Sequence, residues 1–227
     1  MPLRVVPVRD RKLHRQVKKA EIVPLRRGEA LHRPGDAADH VVLVRRGHLR
    51  LISPGRARGG DRIVDVAGPW EITGEEALLS SSVRRYRAVA GEVSAIQRLE
   101  PDRVLSVLAT SRVTRQAFHA AWLSDLALLR HLSTGSGRPD VASRLAAVLL
   151  HLAERLGQRG EHGMLIPLRL THRTLADLAG AHRSTVTTLL NAWLYEGWLG
   201  EPEWGIRIDE PPALRALAGL PPTSAGS

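Results

Sequence analysis

The 227-residue sequence contains no cysteine. That excludes disulfides, thiolate metal sites and cysteine-ligated iron–sulfur clusters. No run of about eighteen apolar residues occurs, so no segment is long enough to span a bilayer as a helix. The first residues, Met1-Pro2-Leu3-Arg4-Val5-Val6-Pro7, lack an apolar stretch of signal-peptide length. The expected compartment is therefore the cytoplasm. Catalytic motifs are missing as well. The ten histidines are scattered, with no H-x-H and no H-E-x-x-H. There is no G-x-x-x-x-G-K-[ST] phosphate loop and no G-x-S-x-G elbow. These absences argue against an enzyme, and neither a metal nor a cofactor is expected.

Positive charge, in contrast, is abundant: 33 Lys and Arg against 23 Asp and Glu give a net charge of +10. An excess of this size favours a polyanionic partner. Much of it sits in the first twenty residues, where Arg4, Arg9, Arg11, Lys12, Arg15, Lys18 and Lys19 face only Asp10. An arginine-rich coding bias explains that arm equally well.

The most informative stretch runs from Leu170 to Leu194. Thr171 suits a helix N-cap, because its hydroxyl can accept from a backbone N–H in the first turn. Leu175, Leu178 and Ala179 then give one apolar face, and Gly180 supplies the left-handed residue that ends a helix. A second helix carries Val186, Leu189, Leu190, Trp193 and Leu194 at i, i+3, i+4, i+7 and i+8. Its other face begins with Arg183, Ser184, Thr187 and Thr188, and Gly197 follows its end. Trp198-Leu199-Gly200 and Gly205-Ile206-Arg207-Ile208-Asp209 read as two strands around Glu201-Pro202-Glu203. Two helices, a tight turn and a hairpin behind them predict a winged helix-turn-helix.

Asp140 to Asp209 resembles the DNA-binding domain of the cAMP receptor protein/FNR superfamily of bacterial transcription regulators. The opening Asp140-Val141-Ala142-Ser143-Arg144-Leu145-Ala146 is similar to that family's D-x-x-x-R-[LI] helix entry, and the run R-x-T-V-T ending at Thr187 to its cyanobacterial nitrogen-control branch. The resemblance implies a homodimer on double-stranded DNA that works with RNA polymerase. It assigns base reading to Arg183, Ser184 and Thr188, and phosphate contacts to Thr171, His172, His182 and Thr185. Without cysteines, the oxygen-sensing chemistry of the FNR branch is excluded.

Upstream, short β runs appear at Ile22–Leu25, His40–Val44, His48–Ile52, Arg62–Val66 and Val93–Leu99, separated by turn signals such as Arg33-Pro34-Gly35-Asp36 and Arg46-Gly47. Such spacing predicts a β-sandwich or jelly roll. A cupin-type metalloenzyme is the remote alternative, but it needs histidines and a carboxylate converging on a metal. The P-G-D of Pro34-Gly35-Asp36 and the strand ending at Arg46-Gly47 resemble the family's cyclic-nucleotide-binding β-roll. Residues from about Asp102 to Leu132 read as a hinge helix and a long helix. Phe118, Trp122, Leu129 and Leu132 lie along an apolar seam of heptad-like spacing, interrupted by Asp125 and with Leu126 beside it. In the family this helix forms the dimer, the alternative being a helix packed only on its own roll.

An effector pocket is where the residues depart from the family. cAMP-binding members use a G-E pair followed about ten residues later by R-S. Gly74-Glu75 supplies the first half, and either Arg84 or Arg85 the arginine, but the next residue is then Arg85 or Tyr86 rather than serine. Leu129 and Arg130 stand where the family's long helix offers threonine and serine to adenine. Each unpartnered group at a buried adenine edge costs roughly 1–3 kcal/mol. Two such losses weaken binding by about two to four orders of magnitude. The expected protein therefore binds DNA without cAMP; a regulator gated by a cyclic nucleotide or a 2-oxoglutarate-like anion held by Arg84, Arg85 and Arg87 is the alternative. The expected fold is α+β: a β-roll over residues 1–109, a dimerisation helix and hinge over 110–137, and a winged helix over 138–227.

Overall fold

The computed structural model describes residues 20–55, 60–79, 82–133, 140–200 and 202–221. The basic arm, most of the glycine-rich linker after Ser133, and the tail beyond Pro221 lie outside these residues. The chain divides into two compact units, one up to Asp125 and one from Leu126.

The first unit holds eight strands: β1 (Ile22–Leu25), β2 (Ala30–His32), β3 (Val41–Arg46), β4 (Leu49–Ser53), β5 (Arg62–Ala67), β6 (Ile72–Thr73), β7 (Arg87–Ala90) and β8 (Ser94–Leu99). They form two antiparallel sheets, in the orders β1-β8-β3-β6 and β2-β7-β4-β5. Pro24 is tolerated because β1 is an edge strand, where a missing N–H breaks no ladder. The uninterrupted run Val41-Val42-Leu43-Val44 is buried on both faces. Val42 and Val44 join Leu49, Ala90 and Ile96 in one cluster. Val41 and Leu43 pack with Ile72, Leu99 and two valines, Val104 and Val107, of helix α1 (Pro101–Thr110). Strands β2, β6 and β7 were not anticipated; β2 and β6, at three and two residues, are too short to show alternation, and β7, Arg87-Ala88-Val89-Ala90, does not alternate.

Helix α2 (Arg112–Ser133) follows, as expected. The apolar seam needs one correction. Phe118 is 2% exposed within its own chain, with its ring edge-to-face on Trp122 at 4.9 Å. It is therefore core, unavailable to a second copy, while Trp122, Leu126, Leu129 and Leu132 are half-buried. The open face of α2 instead carries Val113 and Leu123, 68% and 66% exposed, with Ala120 and Ala127 between and beyond them.

The second unit comprises α3 (Val141–Leu156), β9 (Gln158–Gly160), β10 (Gly163–Ile166), α4 (His172–Ala179), α5 (Arg183–Tyr195), β11 (Leu199–Gly200), β12 (Ile206–Ile208) and α6 (Pro211–Leu217). Asp140 caps α3, its carboxylate accepting from Ser143 N at 2.6 Å. The wing is larger than expected, a four-stranded sheet in the order β11-β12-β10-β9. The β9–β10 hairpin escaped the sequence reading because Gln158-Arg159-Gly160 is exposed throughout and shows no apolar period. Among the described residues no helix is long and apolar enough to cross a membrane.

Candidate nucleic-acid interface

The two helices of the motif are locked by local chemistry. Thr171 Oγ1 accepts from Thr174 N at 3.1 Å and caps α4. At the other end Gly180 adopts φ 62°, ψ 45°, and Ala181 N reaches back to Ala176 O at 2.9 Å. This is the six-to-one closure that a left-handed glycine permits. Two α4-terminal carbonyls then receive the buried Arg144 of α3. Its Nε donates to Ala179 O at 2.7 Å and one Nη to Gly180 O at 3.1 Å. The arginine of the D-x-x-x-R entry is thus a pin that holds the turn, a role its spacing alone did not reveal.

Helix α5 buries Val186, Leu190 and Trp193, at 0, 5 and 4% exposure, with Leu189 and Leu194 half-buried. Behind it Trp198 stacks on Trp193, with ring centroids 6.3 Å apart. Arg183, Ser184, Thr185, Thr188, Asn191 and Tyr195 are exposed. Thr187, by contrast, faces inward: its hydroxyl donates to Arg183 O at 3.0 Å and lies 2.8 Å from His172 Nδ1. The last residue of R-x-T-V-T therefore ties α4 to α5 instead of meeting a base. One ring nitrogen of His172 is thereby committed to Thr187, whereas Thr171, His182 and Thr185 stand exposed. Asn191, which the sequence reading passed over, lies three residues after Thr188 on the same helix.

Of the effector-like residues of the first unit, Gly74, Glu75 and Arg84 are brought together. Gly74 is left-handed (φ 79°) and starts a single 3-10 turn, Glu75–Leu78. Glu75 is buried, and so is Arg84, at 1% exposure. Arg84 donates through Nη2 to His40 O at 2.5 Å and through Nη1 to Gly74 O at 3.3 Å, with Glu76 Oε1 3.7 Å away. The positive φ favours glycine here, and a Cβ on Gly74 would also stand 2.5 Å from that Nη1. Burial pulls the Arg84 guanidinium below its ordinary value, opposed by Glu76 and Asp39. Arg84 thus anchors the turn: its terminal nitrogens reach two backbone carbonyls and face the Glu76 carboxylate, while its buried Nε has no hydrogen-bond partner among the described residues. Arg85 is exposed, Tyr86 half-buried, and Arg87 pairs with Asp61 at 2.7 Å. The three arginines do not form one anion cluster. Arg130 is exposed on α2. Burial also lowers His32, whose Nδ1 is 3.1 Å from Tyr86 O, to about 4, with Arg84 as the second cause.

Comparisons with known proteins agree with this architecture. A cyclic nucleotide-binding domain model matches residues 22–111, and a Crp-like helix-turn-helix domain model matches residues 143–217. The Cyclic AMP receptor protein of Thermus thermophilus is 29% identical over 197 residues, covering 84% of this chain and 85% of that one. The Global nitrogen regulator of Synechococcus elongatus is 28% identical over 176 residues, covering 75% and 77%. Similarity is thus shared almost evenly between differently named relatives and singles out no branch. In fold, the structure of FixK2 from Bradyrhizobium japonicum superposes with a TM-score of 0.69 at 20% identity, covering 90% of this chain and 99% of that one. With a β-roll, a long helix and a winged helix-turn-helix in family order, the chain belongs to the cAMP receptor protein/FNR family of transcription regulators.

Proposed function

We propose that this regulator acts in the cytoplasm as a homodimer on a pseudo-palindromic DNA site, and that it does so without cAMP. The observation that carries the second part is the residue after the buried Arg84, the exposed Arg85, where the family's phosphate cradle has serine, with Leu129 and Arg130 where its long helix offers threonine and serine. For the first part, α5 offers Ser184 and Thr188 on a surface opposite its apolar stripe and the exposed Arg183 at its N-terminus. Arg183 can place two donors on guanine O6 and N7, while Thr171, His172, His182 and Thr185 fix register on phosphates. Two copies pair through α2, using the exposed Val113, Ala120, Leu123 and Ala127 face. The partners are double-stranded DNA and, as for a transcription regulator, RNA polymerase.

Binding-site selection from random duplexes with the full-length protein and no added nucleotide tests the reading. The expected result is two inverted half-sites about one helical turn apart. Arg183→Ala should cost about 1–3 kcal/mol and relax preference at one guanine per half-site. A selected pool with no consensus, or enrichment only when cAMP is added, would overturn it.

A further inference from the structure

We propose that Asn191 is a further base-reading residue, selecting an adenine within about four base pairs of the guanine read by Arg183. The proposal rests on the DNA-binding reading above. Its starting point is the angular arrangement of α5. At 3.6 residues per turn, Ser184, Thr188, Asn191 and Tyr195 fall within about 60° of one another around the helix axis. Trp193, at the centre of the buried face, lies about 180° from Ser184 by the same count. The Ser184–Tyr195 stripe therefore points directly away from the domain core, more squarely than Arg183 does.

All four residues of that stripe are exposed, Tyr195 by 93%. Their capacity to read a base differs. Ser184 is short, and the Thr188 hydroxyl donates its proton to Ser184 O at 3.2 Å. Asn191 is the amide of the stripe, and among the described residues its side chain makes no hydrogen bond. A carboxamide can accept from adenine N6–H with its oxygen and donate to N7 with its nitrogen, a pairing no other base edge in the major groove matches. Asn191 lies eight residues after Arg183, about 12 Å along the axis. At about 3.4 Å per base pair that spans at most about four pairs, because a helix lying in the groove is inclined to the duplex axis. Tyr195, one turn further on, places an amphipathic ring at the end of the same face, where it bounds the contact with sugar and phosphate.

The test is binding-site selection with the full-length wild type, Arg183→Ala and Asn191→Ala. Wild type should prefer adenine within about four pairs of the Arg183 guanine, and Asn191→Ala should lower that preference about tenfold while keeping the guanine. Because Asn191 is exposed and unbonded, the thermal midpoint of Asn191→Ala should match wild type. If Arg183→Ala loses the guanine while Asn191→Ala reproduces the wild-type profile at every position, this proposal fails and the DNA-binding reading stands. If wild type selects no consensus, both fail.

Discussion

Replacing Arg144 by methionine is the perturbation whose consequence follows most directly from the structure. Methionine keeps an apolar stem of similar reach but removes the guanidinium that donates to Ala179 O and Gly180 O. Hydrogen bonds from a charged donor contribute about 1.5–3 kcal/mol each. A cation at a helix C-terminus adds about 0.3–1 kcal/mol. The variant also escapes the desolvation of a side chain only 7% exposed, which offsets part of the loss. The net expectation is about 3–5 kcal/mol, a large share of the stability of a small domain. Hydrogen exchange of amides in α4 and α5 reads this without mixing in the β-roll. Protection there should fall by about two orders of magnitude or more, and DNA affinity should fall with it. Protection within tenfold of wild type would refute the assignment of Arg144 as the pin of the turn.

Two further outcomes are expected. Leu123→Glu, on the open face of α2, should sediment as a monomer and lose operator affinity, whereas a variant that remains dimeric would move the interface elsewhere. Burial depresses His32 to about 4, so its stabilising contribution is whole above the unfolded value of 6.5 and is lost as pH falls through about 4. The interval corresponds to about 3 kcal/mol, and His40 and His48, also lowered chiefly by burial, act in the same direction. Urea midpoints of the wild-type β-roll should fall between pH 6.5 and 4 and flatten in His32→Gln; a flat wild-type profile would contradict this.

The winged helix was the most legible part of the sequence because its signals are local. Thr171 as N-cap, Gly180 as the left-handed stop and the Val186–Leu194 stripe each depend on neighbours within a few residues. Long-range partnerships were not legible. Arg144 is 35 residues from Ala179, and Arg84 is 44 from His40. Nothing in periodicity announces such bonds, so Arg84 and Arg85 remained equivalent candidates until Arg84 was found buried against Gly74. Phe118 was misplaced for a related reason. Heptad spacing marks one face of a helix as apolar but not whether the same chain already covers it. Strands as short as β6 and β9 fall below the length at which alternation exists.

The central claim, a DNA-binding regulator that needs no cyclic nucleotide, is tested most directly by one titration. Full-length protein is added to a labelled duplex carrying the selected site, across a range of salt and with or without cAMP, and binding is followed by anisotropy. The account predicts tight, sequence-dependent binding whose log Kobs falls steeply and linearly with log salt, with identical curves in the two nucleotide conditions. Binding that appears only with cAMP, or a salt slope near zero, would contradict it.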